Sequence, residues 1–448
     1  MPSCPIRRRT FVRCVAIAGA TPPAFAPALV RAASPNAKLR FAGIGCNGQG
    51  WSDISQIATS PNVHMVAFCD VDERRFDRVA KRWPQAPRFR DWRKMFDRHE
   101  KDIDAVNVSI PDHMHAYVAL DAMRRGKHVY CEKPLTHTVW EARQMAKVAE
   151  ATGLTTRMGN QIHSRIVYRL GVRLIRDGAI GKVKAVHSWV NAHGHGRARR
   201  TTAPSQGRPV PAALNWDTWL GVAPARPYAE QLYHPVNWRD WQAFGSGAIG
   251  DFGCHILDPV FTALELTAPV SLSSEHTGLV GEVWPKSETI RYVFPGTPFT
   301  ADKSIHVTWY DGRRQPPLSL GKMPEGTKYP GSGSLFVGTE GNLVLPHFAA
   351  PRLYPQEKYK GHKYPKLEPK HHWVDWVEAA RAGKQVSDNF QYAGPLTETV
   401  QLGNVAARFP GKELLWDPAG FQITNAAKAN AYLTREYRRG WEIDRLLA

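Results

Sequence analysis

At 448 residues, 43% hydrophobic and 22% charged, the chain is longer than one hydrophobic core sustains, so two domains of ordinary globular composition are expected. Its formal charge is +19, of which five positive charges fall in the acid-free residues 1–33, leaving +14 on the remainder. That surplus is scattered over helical faces, as at Arg74, Arg75 and Arg78, with no basic stripe or binding motif; this argues against nucleic acid and leaves an anionic substrate or an envelope surface open.

Residues 1–33 read as a targeting segment. Arg7-Arg8-Arg9-Thr10-Phe11-Val12-Arg13 precedes a modestly apolar stretch with small residues at Ala26, Ala28 and Ala33. Arg8-Arg9-x-Phe11 resembles a bacterial twin-arginine signal, a disordered basic tail being the plainer alternative. The expectation is export through the twin-arginine translocation machinery to the periplasm or another extracytoplasmic site. No later stretch reaches about 18 uninterrupted apolar residues, so no further membrane span is expected. Beyond the leader stand four cysteines, Cys46, Cys69, Cys131 and Cys254. None forms a C-x-x-C pair, so no metal site is expected; small buried side chains are the simplest reading, and a disulfide stays open in an oxidising compartment.

The apolar run Leu39 to Ala42 reads as a strand and leads into Gly43-Ile44-Gly45-Cys46-Asn47-Gly48 before a helical stretch. Such a turn lets backbone N–H groups at a helix N-terminus approach a pyrophosphate. A second strand, His64 to Phe68, ends at Asp70, 22 residues after Gly48, where a ribose-binding acid belongs. Aspartate there favours NAD over NADP, whose 2′-phosphate would face its charge. Phe76, Val79, Ala80 and Trp83 share one face of a helix over 72–83. A short strand at Arg88 to Arg90, a helix through Trp92, Met95 and Phe96, and a buried strand Ala105 to Ile110 follow. Then come a helix from His115 to Arg124 stopped by Gly126, a strand His128 to Cys131, a helix Val139 to Ala151 ended by Gly153, and a strand Leu154 to Met158. The alternation predicts an α/β, Rossmann-type doubly wound parallel sheet over residues 38–160, with its ligand at the carboxyl ends of the strands. The glycine turn, Asp70, Pro111 to His115 and Lys133 all fall at those ends.

After residue 160 the pattern changes. Ile166 to Arg176 reads as a helix and Val183 to Val190 as a strand. About forty residues rich in Gly, Pro, Arg and Trp follow, including His193-Gly194-His195, a length that marks a functional or disordered loop. Ile290 to Phe294, Ile305 to Tyr310, and a hairpin from Leu335 to Leu345 broken at Thr339-Glu340-Gly341 read as strands, and 371–382 and 396–408 as helices. Residues 161–448 are therefore expected to form an α+β domain on a largely antiparallel open sheet.

Two stretches carry acid–base chemistry. In Gly250-Asp251-Phe252-Gly253-Cys254-His255-Ile256-Leu257-Asp258, Asp251 and His255 share a helix face, which suits either a carboxylate-oriented imidazole or a helix-stabilising hydrogen bond. Lys133, between a strand and Pro134, is placed to polarise a carbonyl or move a proton beside a nicotinamide, or is a surface lysine. His193, His195, His255 and Asp258 can be drawn as a metal set, but no spacing unites them, and loop histidines facing substrate or solvent are preferred. Trp216, Trp219, Trp238 and Trp241 form either a sugar-stacking wall or plain packing.

Taken together, the glycine turn, Ser109-Ile110-Pro111-x-x-x-His115, Glu132-Lys133-Pro134 and Asp251-x-x-x-His255 resemble the Gfo/Idh/MocA oxidoreductase family. Asn215-Trp216-Asp217-Thr218-Trp219-Leu220-Gly221 and Gly394-Pro395-Leu396-Thr397-Glu398-Thr399 resemble its exported bacterial branch with an extended C-terminal domain. The resemblance implies NAD held by Gly43, Gly45, Cys46, Asn47, Gly48, Asp70, Pro111, His115, Glu132 and Lys133. It implies catalysis by Lys133, Asp251 and His255, with substrate also contacted by Gln161 and Arg239. The activity implied is hydride transfer between the nicotinamide and a carbinol carbon of a sugar, polyol or cyclitol. A redox-neutral, NAD-dependent glycoside hydrolase or lyase with a captive cofactor, and a non-catalytic ligand-binding relative, are the alternatives. Homo-oligomerisation through the open face of the second sheet is implied by the same resemblance.

Overall fold

The computed structural model describes residues 37–191, 200–278 and 281–447. The arginine-rich leader and the His193 and His195 pair lie outside the described residues. The chain first alternates β1 (Leu39–Ile44), α1 (Gln49–Ile57), β2 (Val63–Cys69), α2 (Asp77–Arg82), β3 (Arg88–Phe89), α3 (Trp92–His99), β4 (Ala105–Val108), α4 (Asp112–Arg124), β5 (His128–Glu132), α5 (Val139–Thr152) and β6 (Thr156–Gly159). The six strands form one parallel sheet in the order β3-β2-β1-β4-β5-β6. The central strands β1, β2 and β4 read as the largely apolar runs from which they are predictable. Strand order reverses between β1 and β4, which opens a crevice at their carboxyl ends.

Local differences from expectation have local causes. The single helix expected over 72–83 starts instead as a 3-10 turn, Glu73–Arg75, because the Asp72 carboxylate accepts the Arg74 N–H and is also held by His234. Helix α4 begins directly after Pro111 rather than at His115, with Pro111 extended at the N-cap and Asp112, an acid favoured in a first turn, opening the helix. Helix α5 carries a complete capping box between Thr138 and Glu141 and stops at Gly153, whose φ of +66° is left-handed as a C-terminal glycine should be.

The second unit contains α6 (Ile166–Arg176), β7 (Val183–Val190), α7 (Trp216–Leu220), α8 (Gly247–Leu264), β8 (Ser271–His276), β9 (Glu288–Pro295), β10 (Ser304–Tyr310), β11 (Ser332–Gly338), β12 (Asn342–Pro346), β13 (Arg352–Tyr354), α9 (His372–Arg381), α10 (Phe390–Ala406), β14 (Leu414–Asp417) and β15 (Gln422–Ile423). Among the described residues its nine strands run β13-β12-β11-β7-β10-β9-β8-β14-β15; β7 pairs β10 in parallel and the other ladders are antiparallel. Helix α10 starts six residues before the expected 396, with Asn389 capping Tyr392 N, and continues through Pro395.

Helices of the second unit join it to the first, α10 packing along α5. Helix α8 is buried nearly throughout, packed between the second sheet and α10. Helix α9 returns to the first sheet: Trp376, fully buried, meets Phe41 of β1 edge-on at 6.4 Å and Tyr130 of β5 at 5.7 Å. The four described cysteines are buried free thiols. No helix among the described residues is long and apolar enough to cross a membrane.

Candidate active site

A cleft of about 710 Å³ lies over the carboxyl ends of β1, β2, β4 and β5. Its floor includes Gly45, Asn47, Gly48 and Gly50 of the first turn, Asp70, Pro111, Glu132 and Lys133. Arg239, Asp251 and Phe252 close it from the second unit, together with Trp219, His234 and Trp238.

The glycines divide by task. Gly43 lies within β1, where a Cβ would come within 2.7 Å of Ile54 Cδ1; it admits α1 against the sheet and does not border the cleft. Gly45, at φ +89°, passes so near β4 that a Cβ would stand 2.1 Å from the Ser109 carbonyl oxygen. Gly48, at φ +55°, has no protein atom within 4 Å of where a Cβ would be, so its backbone turns past open space in the cleft. Cys46 is buried beneath the turn and donates its N–H to Asp70 Oδ2 at 2.9 Å. The other Asp70 oxygen accepts from Asp72 N at 3.0 Å, and burial pushes this carboxyl up to about 6.

Around β5 the groups are more tightly coupled. Lys133 Nζ donates to Asp251 Oδ1 at 2.5 Å and to the Asp251 carbonyl oxygen at 2.7 Å. Arg239 Nη1 lies 3.4 Å from both Asp251 Oδ1 and Asp112 Oδ1, its guanidinium 4.4 Å above the Trp238 ring. Glu132 and Asp53 are buried carboxyls in hydrogen-bond contact: burial pushes Asp53 up to about 6, and burial with the Asp53 charge pushes Glu132 well above the carboxylate range. Asp53 also accepts from Gln49, Ser109 and Trp373.

His255 lies on α8 one turn beyond Asp251, as the spacing predicts. Its partner differs from the expected one: Nδ1 hydrogen-bonds Asn160 Oδ1, while the Asp251 carboxylate is taken up by Lys133 and Arg239. A full cation draws a carboxylate more strongly than a neutral imidazole does, which decides the competition. Burial and the Lys133 charge hold the His255 pKa well below the ordinary value. Asn160, at the end of β6, carries no motif of its own; its place beside Gln161 is the one signal in the sequence.

Like His255, which sits behind Asp251 and Phe252, other predicted positions do not border the cleft. His115 is buried, with Nδ1 2.7 Å from the Pro134 carbonyl oxygen and Nε2 2.7 Å from that of Ile110, so it ties the loops after β4 and β5 together. Gln161 opens the 3-10 turn after Asn160 and does not border the cleft. Trp216 stacks on Trp219 at 4.7 Å and Trp241 is fully buried, so both pack, whereas Trp219 and Trp238 also face the cleft. His347, between β12 and β13, was not foreseen; its ring is 5.5 Å from that of His255, and Tyr168 hydrogen-bonds its Nδ1 at 2.6 Å. Among the described residues no group of His, Cys, Asp or Glu is arranged to hold a metal.

The cleft fits a dinucleotide. Gly48 offers backbone with nothing opposite it, Asp70 keeps lone pairs for a ribose, and the Trp219 indole N–H is buried without a hydrogen-bond partner.

Comparison with known proteins agrees. Residues 39–160 match the family model described as an oxidoreductase family, NAD-binding Rossmann fold, and residues 195–283 that of the same family's C-terminal alpha/beta domain. The chain is 27% identical over 169 residues to levoglucosan dehydrogenase of Pseudarthrobacter phenanthrenivorans, covering 38% of this chain and 34% of that protein. It is 28% identical over 154 residues to alpha-N-acetylgalactosaminidase of Shewanella oneidensis, covering 32% and 33%. These matches thus span about a third of each curated relative. The fold resembles that of aldose-aldose oxidoreductase from Caulobacter crescentus, with a TM-score of 0.57 and 16% identity over 85% of this chain and all of that one. Residues 39–160 and 195–283 thus match, in one molecule, the models of the NAD-binding and C-terminal domains of the Gfo/Idh/MocA oxidoreductase family.

Proposed function

We propose that the protein is an NAD-dependent oxidoreductase acting on a carbinol carbon of a sugar, polyol or cyclitol. The observation that carries this reading is the Lys133–Asp251 ion pair at 2.5 Å, because it sets an acid–base cluster beside the glycine turn in a single cleft. Gly45, Asn47, Gly48 and Asp70 would hold the dinucleotide, with Pro111 and Glu132 bordering it farther along. When bound, NAD supplies a hydride acceptor or donor at C4 of its nicotinamide.

In this reading Lys133 holds the reacting oxygen by charge, and Asp251, itself paired with Arg239, fixes the ammonium in place. His255, neutral at pH 7, takes the hydroxyl proton in oxidation and returns it in reduction. Arg239, stacked on Trp238, offers donors to substrate hydroxyls from the opposite unit. Twin-arginine export to the periplasm and association into homo-oligomers belong to the same proposal, the first supported by Arg8-Arg9-x-Phe11.

The test is absorbance at 340 nm during incubation of purified protein with a sugar and polyol panel, alongside assay of nucleotide released on denaturation. Stoichiometric NADH supports net oxidation. The similarity to an alpha-N-acetylgalactosaminidase favours a second reading, redox-neutral glycoside cleavage, in which sugar is released without net NADH. If neither nucleotide binds, the protein is a ligand-binding relative and the proposal fails.

A further inference from the structure

The amide of Asn160 has only one orientation open to it. Its Nδ2 donates to the Cys254 carbonyl oxygen at 2.9 Å, and a carbonyl oxygen can only accept. Oδ1 is therefore the atom that faces His255 Nδ1, and an acceptor there requires a proton on that nitrogen. We propose that Asn160 is a positioning residue that fixes His255 as its Nδ1–H tautomer and so leaves the lone pair on Nε2 for the substrate hydroxyl. This rests on the reading of His255 as the proton acceptor given above.

The surroundings explain an amide at this place. Lys133 faces the imidazole from the end of β5, Arg239 from the 3-10 turn Asn237–Asp240, His347 from the β12–β13 connection, His372 from the start of α9 and Asp251 from α8 itself. Two cations against one carboxylate keep the ring neutral, and a neutral imidazole has two tautomers, only one of which is a base at Nε2. An aspartate at position 160 would also select Nδ1–H but would hold the proton on the ring after transfer. Asparagine selects without adding charge. Asn160 is fully buried, and it is carried by the strand that follows α5 while His255 sits 95 residues later, so the two units are registered by the same contact.

The test is long-range ¹H–¹⁵N spectroscopy of histidine-labelled protein at pH 7, with and without NAD, the His255 signals being those lost in His255→Gln. The expected result in the wild type is a protonated Nδ1 and a bare Nε2 in both samples. Asn160→Ala should give a mixture of tautomers and lower kcat by about 10²-fold, the lower end of what a placed general base contributes, with KM and NAD affinity changed less than twofold. Asn160→Asp should keep the Nδ1–H form and move the acid limb of the kcat profile to higher pH. It carries the comparison if Asn160→Ala does not fold. A wild-type His255 protonated on Nε2 overturns the proposal, as does an Asn160→Ala protein that keeps both tautomer and kcat. If the tautomer is as expected but His255→Gln turns substrate over normally, the catalytic reading falls while the positioning by Asn160 stands.

Discussion

Lys133 is bound twice by Asp251, through the carboxylate at 2.5 Å and through the backbone carbonyl oxygen at 2.7 Å, so a single ammonium ties the end of a Rossmann strand to a helix of the other unit. A residue held so closely is positioned before any ligand enters, which is the condition for electrostatic help to the reacting oxygen.

Lys133→Met should therefore lose about 10²- to 10⁴-fold in turnover while NAD affinity changes little. Initial rates at 340 nm and a fluorescence titration of NADH separate the two. Unchanged turnover would remove Lys133 from the mechanism.

If Asp70 holds the ribose, dinucleotide binding should depend on pH. Its native pKa, about 6, lies above the ordinary carboxylate value, so ionising it costs stability above that pH, and a ribose hydroxyl that donates to the ionised form offsets the cost. NAD affinity should weaken as pH falls through about 6 and level off above it. Calorimetric titration from pH 5 to 8 checks this, and Asp70→Asn should flatten the curve and reduce the preference for NAD over NADP.

The two turn glycines should fail differently. At Gly45 a Cβ would collide with backbone at 2.1 Å, so Gly45→Ala should cost about 1–3 kcal/mol from overpacking in addition to strain. At Gly48 a Cβ meets only open space, so Gly48→Ala should cost about 1–2 kcal/mol for its left-handed backbone and show its larger effect on NAD affinity. Urea unfolding and NAD titration of both variants test the contrast.

Much of this was legible in the chain itself. Strands β1, β2 and β4 announce themselves because burial makes them largely apolar, and α8 presents Asp251 and His255 one turn apart as their spacing requires. Other elements are silent for physical reasons. Strand β8, Ser-Leu-Ser-Ser-Glu-His, buries Ser271 and Ser274, the latter donating to Glu288, and shows no apolar alternation to recognise. The Asn160–His255 contact and the return of α9 to the first sheet depend on pairs far apart in sequence, which no local period encodes. The preference of Asp251 for Lys133 over His255 is a competition among charges that exists only once the two units meet.

Trp376→Ala should cost about 3–5 kcal/mol, since a fully buried indole leaves a cavity between α9, β1 and β5. Trp373→Phe removes the 3.0 Å hydrogen bond to buried Asp53 and should cost about 1.5–3 kcal/mol. Chemical denaturation monitored by tryptophan fluorescence measures both.

Helix α9 also sets the order in which the molecule can be made. The nucleotide-binding sheet is complete in sequence by Gly159, yet one wall of its core is supplied by residues 372–381, more than two hundred positions later. A ribosome must therefore release the chain through residue 381 before that sheet is sealed, and the turn that would greet the dinucleotide first waits on a segment made long after it.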